Sequence, residues 1–135
     1  MAKNSKIFSF EFFPPKTASG QEKVISLGKE FESVPAEYYS VTFGAGGSTQ
    51  QGTIDTCRSL FNATKVPIAP HISGIGSDKS SIKSMLQLYK DEGFKKLVVL
   101  RGDLPSGFGS VGDFPYAINL IEFINESFEN YFEIE

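Results

Sequence analysis

Cysteine and histidine are nearly absent: Cys57 is the only thiol and His71 the only imidazole in 135 residues. One cysteine cannot build an internal disulfide framework, and without companion thiols or clustered histidines a thiolate-type metal site is excluded. Apolar runs are short as well. None approaches the roughly 18 residues needed to span a bilayer, and Met1-Ala2-Lys3-Asn4-Ser5-Lys6 leads directly into a strand pattern with no apolar signal-peptide region. The expectation is an intracellular, cytoplasmic protein with no membrane partner. Excess positive charge is also missing. A formal net charge of -3 and a pI near 5.2 leave no basic stripe to follow a phosphate backbone, so no nucleic-acid partner is expected. What remains is 40% hydrophobic and 21% charged, the composition of an ordinary globular protein of about one domain.

The stretch that organises the chain is Ser9-Phe10-Glu11-Phe12-Phe13-Pro14-Pro15. Residues 7 to 12 have the aromatic richness of a strand, and the two prolines stop it. Period-two alternation puts Ile7, Ser9 and Glu11 on one face and Phe8, Phe10 and Phe12 on the other, where they can pack under helices. Two roles are open to Glu11. It is either a paired or solvent-facing acid at a strand end, or a carboxyl raised by as much as ~3–5 pH units through desolvation by the phenyls, which would keep it protonated as a general acid.

Beyond it the pattern alternates strand and helix. Helices are predicted over residues 21–31, 50–62, 79–92 and 114–126, with Thr17 or Ser19, Ser48 or Thr49, and Asp78 available as caps and Gly93 as a C-terminal stop. Strands are predicted over 7–12, 38–43, 66–72 (interrupted by Pro67 and Pro70) and 96–101, with a fifth opening at Tyr131. Leu97-Val98-Val99-Leu100 is an unbroken apolar run of the kind expected in a parallel sheet covered on both faces. Strand starts recur about every thirty residues, the length of a βαβ unit. Glu11, Thr42, His71, Arg101 and Asp103 all fall at or just past the C-terminal ends of strands. Both (β/α)8 barrels and open α/β sheets place their sites there.

Three constellations carry chemistry in principle. Gly44-Ala45-Gly46-Gly47-Ser48-Thr49, at a strand-to-helix turn, is either a tight turn or an anion cradle; it lacks the glycine spacing of a dinucleotide fingerprint and the lysine of a P-loop. His71 sits between Pro70 and Ser73-Gly74 at a loop mouth, open to a cofactor contact or to a plain hydrogen-bonding role. Arg101-Gly102-Asp103 is either a local ion pair or a ligand edge, where Gly102 lets a planar group approach the backbone and Asp103 accepts its hydrogen bonds.

Taken together, Ser-Phe-Glu-Phe-Phe-Pro-Pro at 9–15, Ser-Val-Thr-Phe-Gly-Ala at 40–45, Ala-Pro-His at 69–71, Leu-Arg-Gly-Asp-Leu-Pro at 100–105 and Tyr-Ala at 116–117 resemble the methylenetetrahydrofolate reductases, in order and spacing. The resemblance implies a (β/α)8 TIM-barrel flavoprotein. Such an enzyme takes electrons from NADH or NADPH onto FAD and passes a hydride to 5,10-methylenetetrahydrofolate, giving 5-methyltetrahydrofolate, a step of one-carbon metabolism and methionine biosynthesis. By the same resemblance Glu11 matches the general acid that protonates the folate's bridging ring so that it opens to an iminium. Asp103 matches the acid beside the flavin that hydrogen-bonds the pterin, so Glu11 and Asp103 are the implied catalytic and substrate-binding pair. Thr42, Phe43, Ala45, His71, Arg101, Gly102, Asp103, Tyr116 and Ala117 match cofactor-binding positions, and no metal is implied. A negative charge near the flavin ring would tune its reduction potential.

Residues 1–135 correspond to the N-terminal half of the family's barrel, about four βα units plus the start of a fifth strand, with no second domain. The expectation is a truncated chain with little activity alone. Its unpaired strand edges are expected to invite self-association or aggregation, and activity is expected only if a complementary C-terminal half is supplied. Two other readings stay open: a non-catalytic binding module that keeps the fold without the chemistry, and a phosphate-sugar lyase or aldolase using the Gly44–Thr49 loop.

Overall fold

The computed structural model describes residues 6–43, 50–104 and 109–135. The chain is an α/β fold whose described strand pairs are all parallel. Its elements run β1 (Ser9–Phe12), α1 (Ala18–Glu30), a 3-10 turn (Phe31–Ser33), β2 (Tyr38–Val41), α2 (Gln50–Ala63), β3 (Ile68–Ser73), α3 (Lys79–Asp91), β4 (Lys96–Leu100), α4 (Ala117–Ser127) and β5 (Glu133–Ile134). They form two compact units, Met1–Ile68 and Ala69–Glu135, divided at the first residues of β3.

In the first unit β1 pairs with β2, Glu11 lying opposite Ser40 and Phe12 opposite Val41. The predicted alternation holds within Ser9–Phe12, whereas Ile7 and Phe8 precede the strand and Phe8 is exposed rather than packed. Phe10 stacks on Phe31 with centroids 4.5 Å apart, and Phe12 meets Tyr39 edge-on at 5.2 Å. Thr17 caps α1 by accepting from Gly20 N at 3.0 Å, so the helix begins at Ala18 rather than at Gln21. α1 packs on α2 at Gly28, where an added Cβ would overlap Leu60; the fully buried Tyr39 hydroxyl donates to the Gly28 carbonyl at 2.8 Å.

In the second unit β4 pairs with both β3 and β5, His71 lying opposite Val98 and Lys96 opposite Glu133. Asp78 Oδ1 accepts from Ser81 N at 2.7 Å to start α3, and this hydrogen bond holds its carboxyl below the ordinary range. α3 ends in a Schellman motif. Gly93 adopts φ +89°, Gly93 N donates to Lys90 O and Phe94 N to Tyr89 O, each at 3.0 Å, with the two rings in contact.

Three expectations are corrected. Pro70 does not break β3, because its fixed φ suits an extended strand and costs only one donor. α4 starts at Ala117, not Phe114: Pro115 intervenes, and Phe114 packs as a buried loop residue on Phe123 at 5.1 Å. The apolar run of β4 is not covered on both faces among the described residues. Leu97 is buried, Val98 and Val99 are intermediate, and Leu100 is 39% exposed.

Candidate functional site

The residues singled out at strand ends divide between the two units. In the first, Glu11 is exposed on the face of β1 opposite the phenyls that pack on Phe31 and Tyr39. The same alternation that makes β1 a strand thus carries those rings away from the carboxyl, so they do not enclose it as the desolvation argument required. Thr42 follows β2. Its N donates to Phe12 O at 3.0 Å and its carbonyl accepts from Thr53 Oγ1 at 2.8 Å. Its own Oγ1 is buried with no hydrogen-bond partner among the described residues. A hydroxyl in that state is costly unless a group outside the described residues completes it. Phe43 is half-buried one residue on. Ala45, and with it the Gly44–Thr49 loop, lies outside the described residues.

In the second unit His71 is 5% exposed and sits inside β3, not at a loop mouth. Its carbonyl accepts from the Tyr89 hydroxyl at 3.4 Å. Two residues on, along the same strand face, Ser73 donates its hydroxyl to Arg101 O at 3.1 Å. Arg101 is exposed and uses Nε on the Pro115 carbonyl at 2.9 Å, which draws the residues after β4 against the start of α4. Gly102 then turns with φ +81°. A Cβ there would overlap the Ser73 hydroxyl and stand 2.9 Å from Ile75 Cγ2, so the position stays bare backbone. Asp103 follows, exposed. Tyr116 is 65% exposed and N-caps α4, its N donating to Asn119 Oδ1 at 3.1 Å, and Ala117 is the first helical residue.

The Arg101–Pro115 hydrogen bond therefore brings Arg101 beside the residue that precedes Tyr116 and Ala117, and His71 lies on the strand that pairs with β4. Ser73 and Asp113 were missed by sequence reasoning. Asp113 accepts from Lys79 N at 2.9 Å and fixes the other end of the same region. The only sequence signal for either was polarity near a strand end or helix start.

The second unit also holds a groove of about 210 Å³ lined by residues of α3, α4 and the approach to α4, among them Lys79, Asp113, Phe123 and Glu126. None of the strand-end residues lines it.

The methylenetetrahydrofolate reductase family model matches residues 1–135. Methylenetetrahydrofolate reductase 2 of Schizosaccharomyces pombe is 33% identical over 93% of this chain and 20% of its own length. The 5,10-methylenetetrahydrofolate reductase of Pectobacterium carotovorum is 31% identical over 87% of this chain and 39% of its own, and methylenetetrahydrofolate reductase (NADH) 1 of Arabidopsis thaliana is 33% identical over 94% and 22%. The chain thus spans between about a fifth and two fifths of the length of these relatives. Among solved structures, a candidate phosphonomutase from Burkholderia cenocepacia J2315 superposes with a TM-score of 0.62 at 12% identity, over 94% of this chain and 52% of that one, a likeness of fold alone. The strand-end motifs and the family match over every residue lead to one conclusion: the chain belongs to the methylenetetrahydrofolate reductase family.

Proposed function

We propose that this chain supplies the acid and the flavin-contacting strand ends of a cytoplasmic (β/α)8 reductase that uses FAD and NADH or NADPH to convert 5,10-methylenetetrahydrofolate into 5-methyltetrahydrofolate. The observation that carries the reading is the end of β4. Gly102, at φ +81°, turns the chain with no side chain of its own beside an exposed carboxylate, its Cβ side backed by Ser73. A flat heteroaromatic ring with hydrogen-bonding edges suits such a surface.

These residues fit FAD, which when bound carries the hydride between nicotinamide and folate. Gly102 and the Arg101 side chain would hold it, with His71, Tyr116 and Ala117 around it. Glu11, exposed near the end of β1, would give a proton to a nitrogen of the bridged folate. Asp103 would accept hydrogen bonds from the pterin and contribute negative charge beside the ring.

The test is a chimera in which this chain replaces the matching segment of the Pectobacterium carotovorum reductase. It should retain FAD and oxidise NADH or NADPH with the folate present. Glu11→Gln should then cost about 10²–10⁴-fold in folate reduction, while reduction of the flavin by nicotinamide persists. A chimera that holds FAD and reduces folate equally well with Gln at position 11 would contradict the reading and favour a module without the acid's chemistry.

A further inference from the structure

One backbone carbonyl at the end of β4 carries two hydrogen bonds. Arg101 O accepts from Ile75 N at 2.9 Å and from the Ser73 hydroxyl at 3.1 Å, while Gly74 N reaches Leu100 O at 3.2 Å. The peptide joining Arg101 to Gly102 is therefore held from two directions. Ser73 Oγ also occupies the volume that a side chain at position 102 would fill. The hydroxyl and the absent Cβ are complementary: one group supports the left-handed turn, and the other makes room for the support.

The same loop after β3 holds the far end of the region. Gly76 N donates to Val111 O at 2.9 Å and Asp113 N to Ser77 O at 3.0 Å. Gly112, at φ +74°, lies so close to the Ser77 backbone that a Cβ would stand 2.5 Å from its carbonyl oxygen. Residues 73–79 thus grip both described ends of the segment between Arg101 and Asp113.

We propose that Ser73 is a positioning residue, whose hydroxyl fixes the Arg101–Gly102 peptide and so sets the backbone from which the Asp103 carboxylate projects. The role assigned to that carboxylate rests on the flavin reading above; the hold on the backbone does not. Ser73 is partly exposed, so losing one solvent-accessible hydrogen bond should change global stability little while loosening the turn locally.

The experiment has two arms. In the chain itself, without flavin, amide NMR should show Ser73→Ala and Ser73→Val displacing the Gly102 and Asp103 signals and speeding Ile75 amide exchange about three- to ten-fold. Ser73→Thr, which keeps the hydroxyl, should restore the parent pattern, and denaturation midpoints should stay nearly constant across the set. In the chimera, the FAD dissociation constant should rise about three- to ten-fold for Ala and Val and return for Thr. Unchanged amide signals in Ala and Val, or a Val variant matching Thr in both arms, would overturn the proposal. If the signals respond but the chimera holds no FAD, the backbone assignment is supported and the flavin reading fails.

Discussion

At its N-terminal end β4 is tied by charge, and at its C-terminal end by backbone geometry. Lys96 Nζ lies 2.7 Å from Glu133 Oε2 and 2.7 Å from Glu135 Oε1 on β5 and the residue after it. These hydrogen bonds push the Lys96 ammonium up and, in return, hold the Glu133 carboxyl below its ordinary range. All three charges there are used on each other. At the other end the Arg101 carbonyl is doubly held and Gly102 is kept bare, while Arg101 and Asp103 remain exposed. The two ends differ in how they use charge: one satisfies its own charges, and the other leaves Arg101 and Asp103 exposed on a fixed support.

Substitution at the rigid end should have the largest effect. Gly102→Val combines a left-handed φ with overlap onto Ser73 and Ile75, and should destabilise the chain by about 2–4 kcal/mol in urea titration. Lys96→Met should lower the thermal midpoint by about 3–8 °C and leave the strand-end chemistry alone. It should also change the pH profile. Because the folded Glu133 pKa is depressed, its contribution is present above the ordinary carboxylate range and is lost as pH falls through the lowered value. The Lys96 contribution, from a raised pKa, is present at neutral pH and lost only in strong alkali. Thermal midpoints from about pH 5 to pH 3 should therefore fall more steeply for the parent than for Lys96→Met.

Smaller effects are expected away from β4. Tyr39→Phe, in the first unit, removes the buried donor to Gly28 O and should cost about 1 kcal/mol by denaturation without touching either end of β4. Cys57 is fully buried, and burial pushes its thiol up, so it should resist thiol reagents until denaturant opens the chain. Ready labelling of the folded protein would contradict the packing around it.

Much of this division was legible in the sequence where the signal is local. The Phe–Glu alternation of β1, the Asp78 cap and the Gly93 stop each depend on residues a few positions apart, and each appears as expected. What was not legible depends on partners far along the chain. Phe114 shares the periodicity of α4 yet packs from outside it, because Pro115 and the Tyr116 cap set the start. The run Leu97–Leu100 reads as doubly buried, but coverage is decided by which elements lie against it. Ser73 is joined to Arg101 across 28 positions by one hydroxyl, and nothing in either motif announces the pairing. Of the two settings open to Glu11, the solvent-facing one at a strand end is the one observed, as the alternation that defines its strand already implied.

The most direct test compares the two ends of β4 in one assay, the FAD dissociation constant of the chimera carrying either Gly102→Ala or Lys96→Met. The account predicts that Gly102→Ala weakens FAD at least about ten-fold, the change that 1.4 kcal/mol produces, while Lys96→Met binds as the parent does. Parent-like FAD binding with Ala at position 102, or loss of FAD on removing the Lys96 charge, would contradict it.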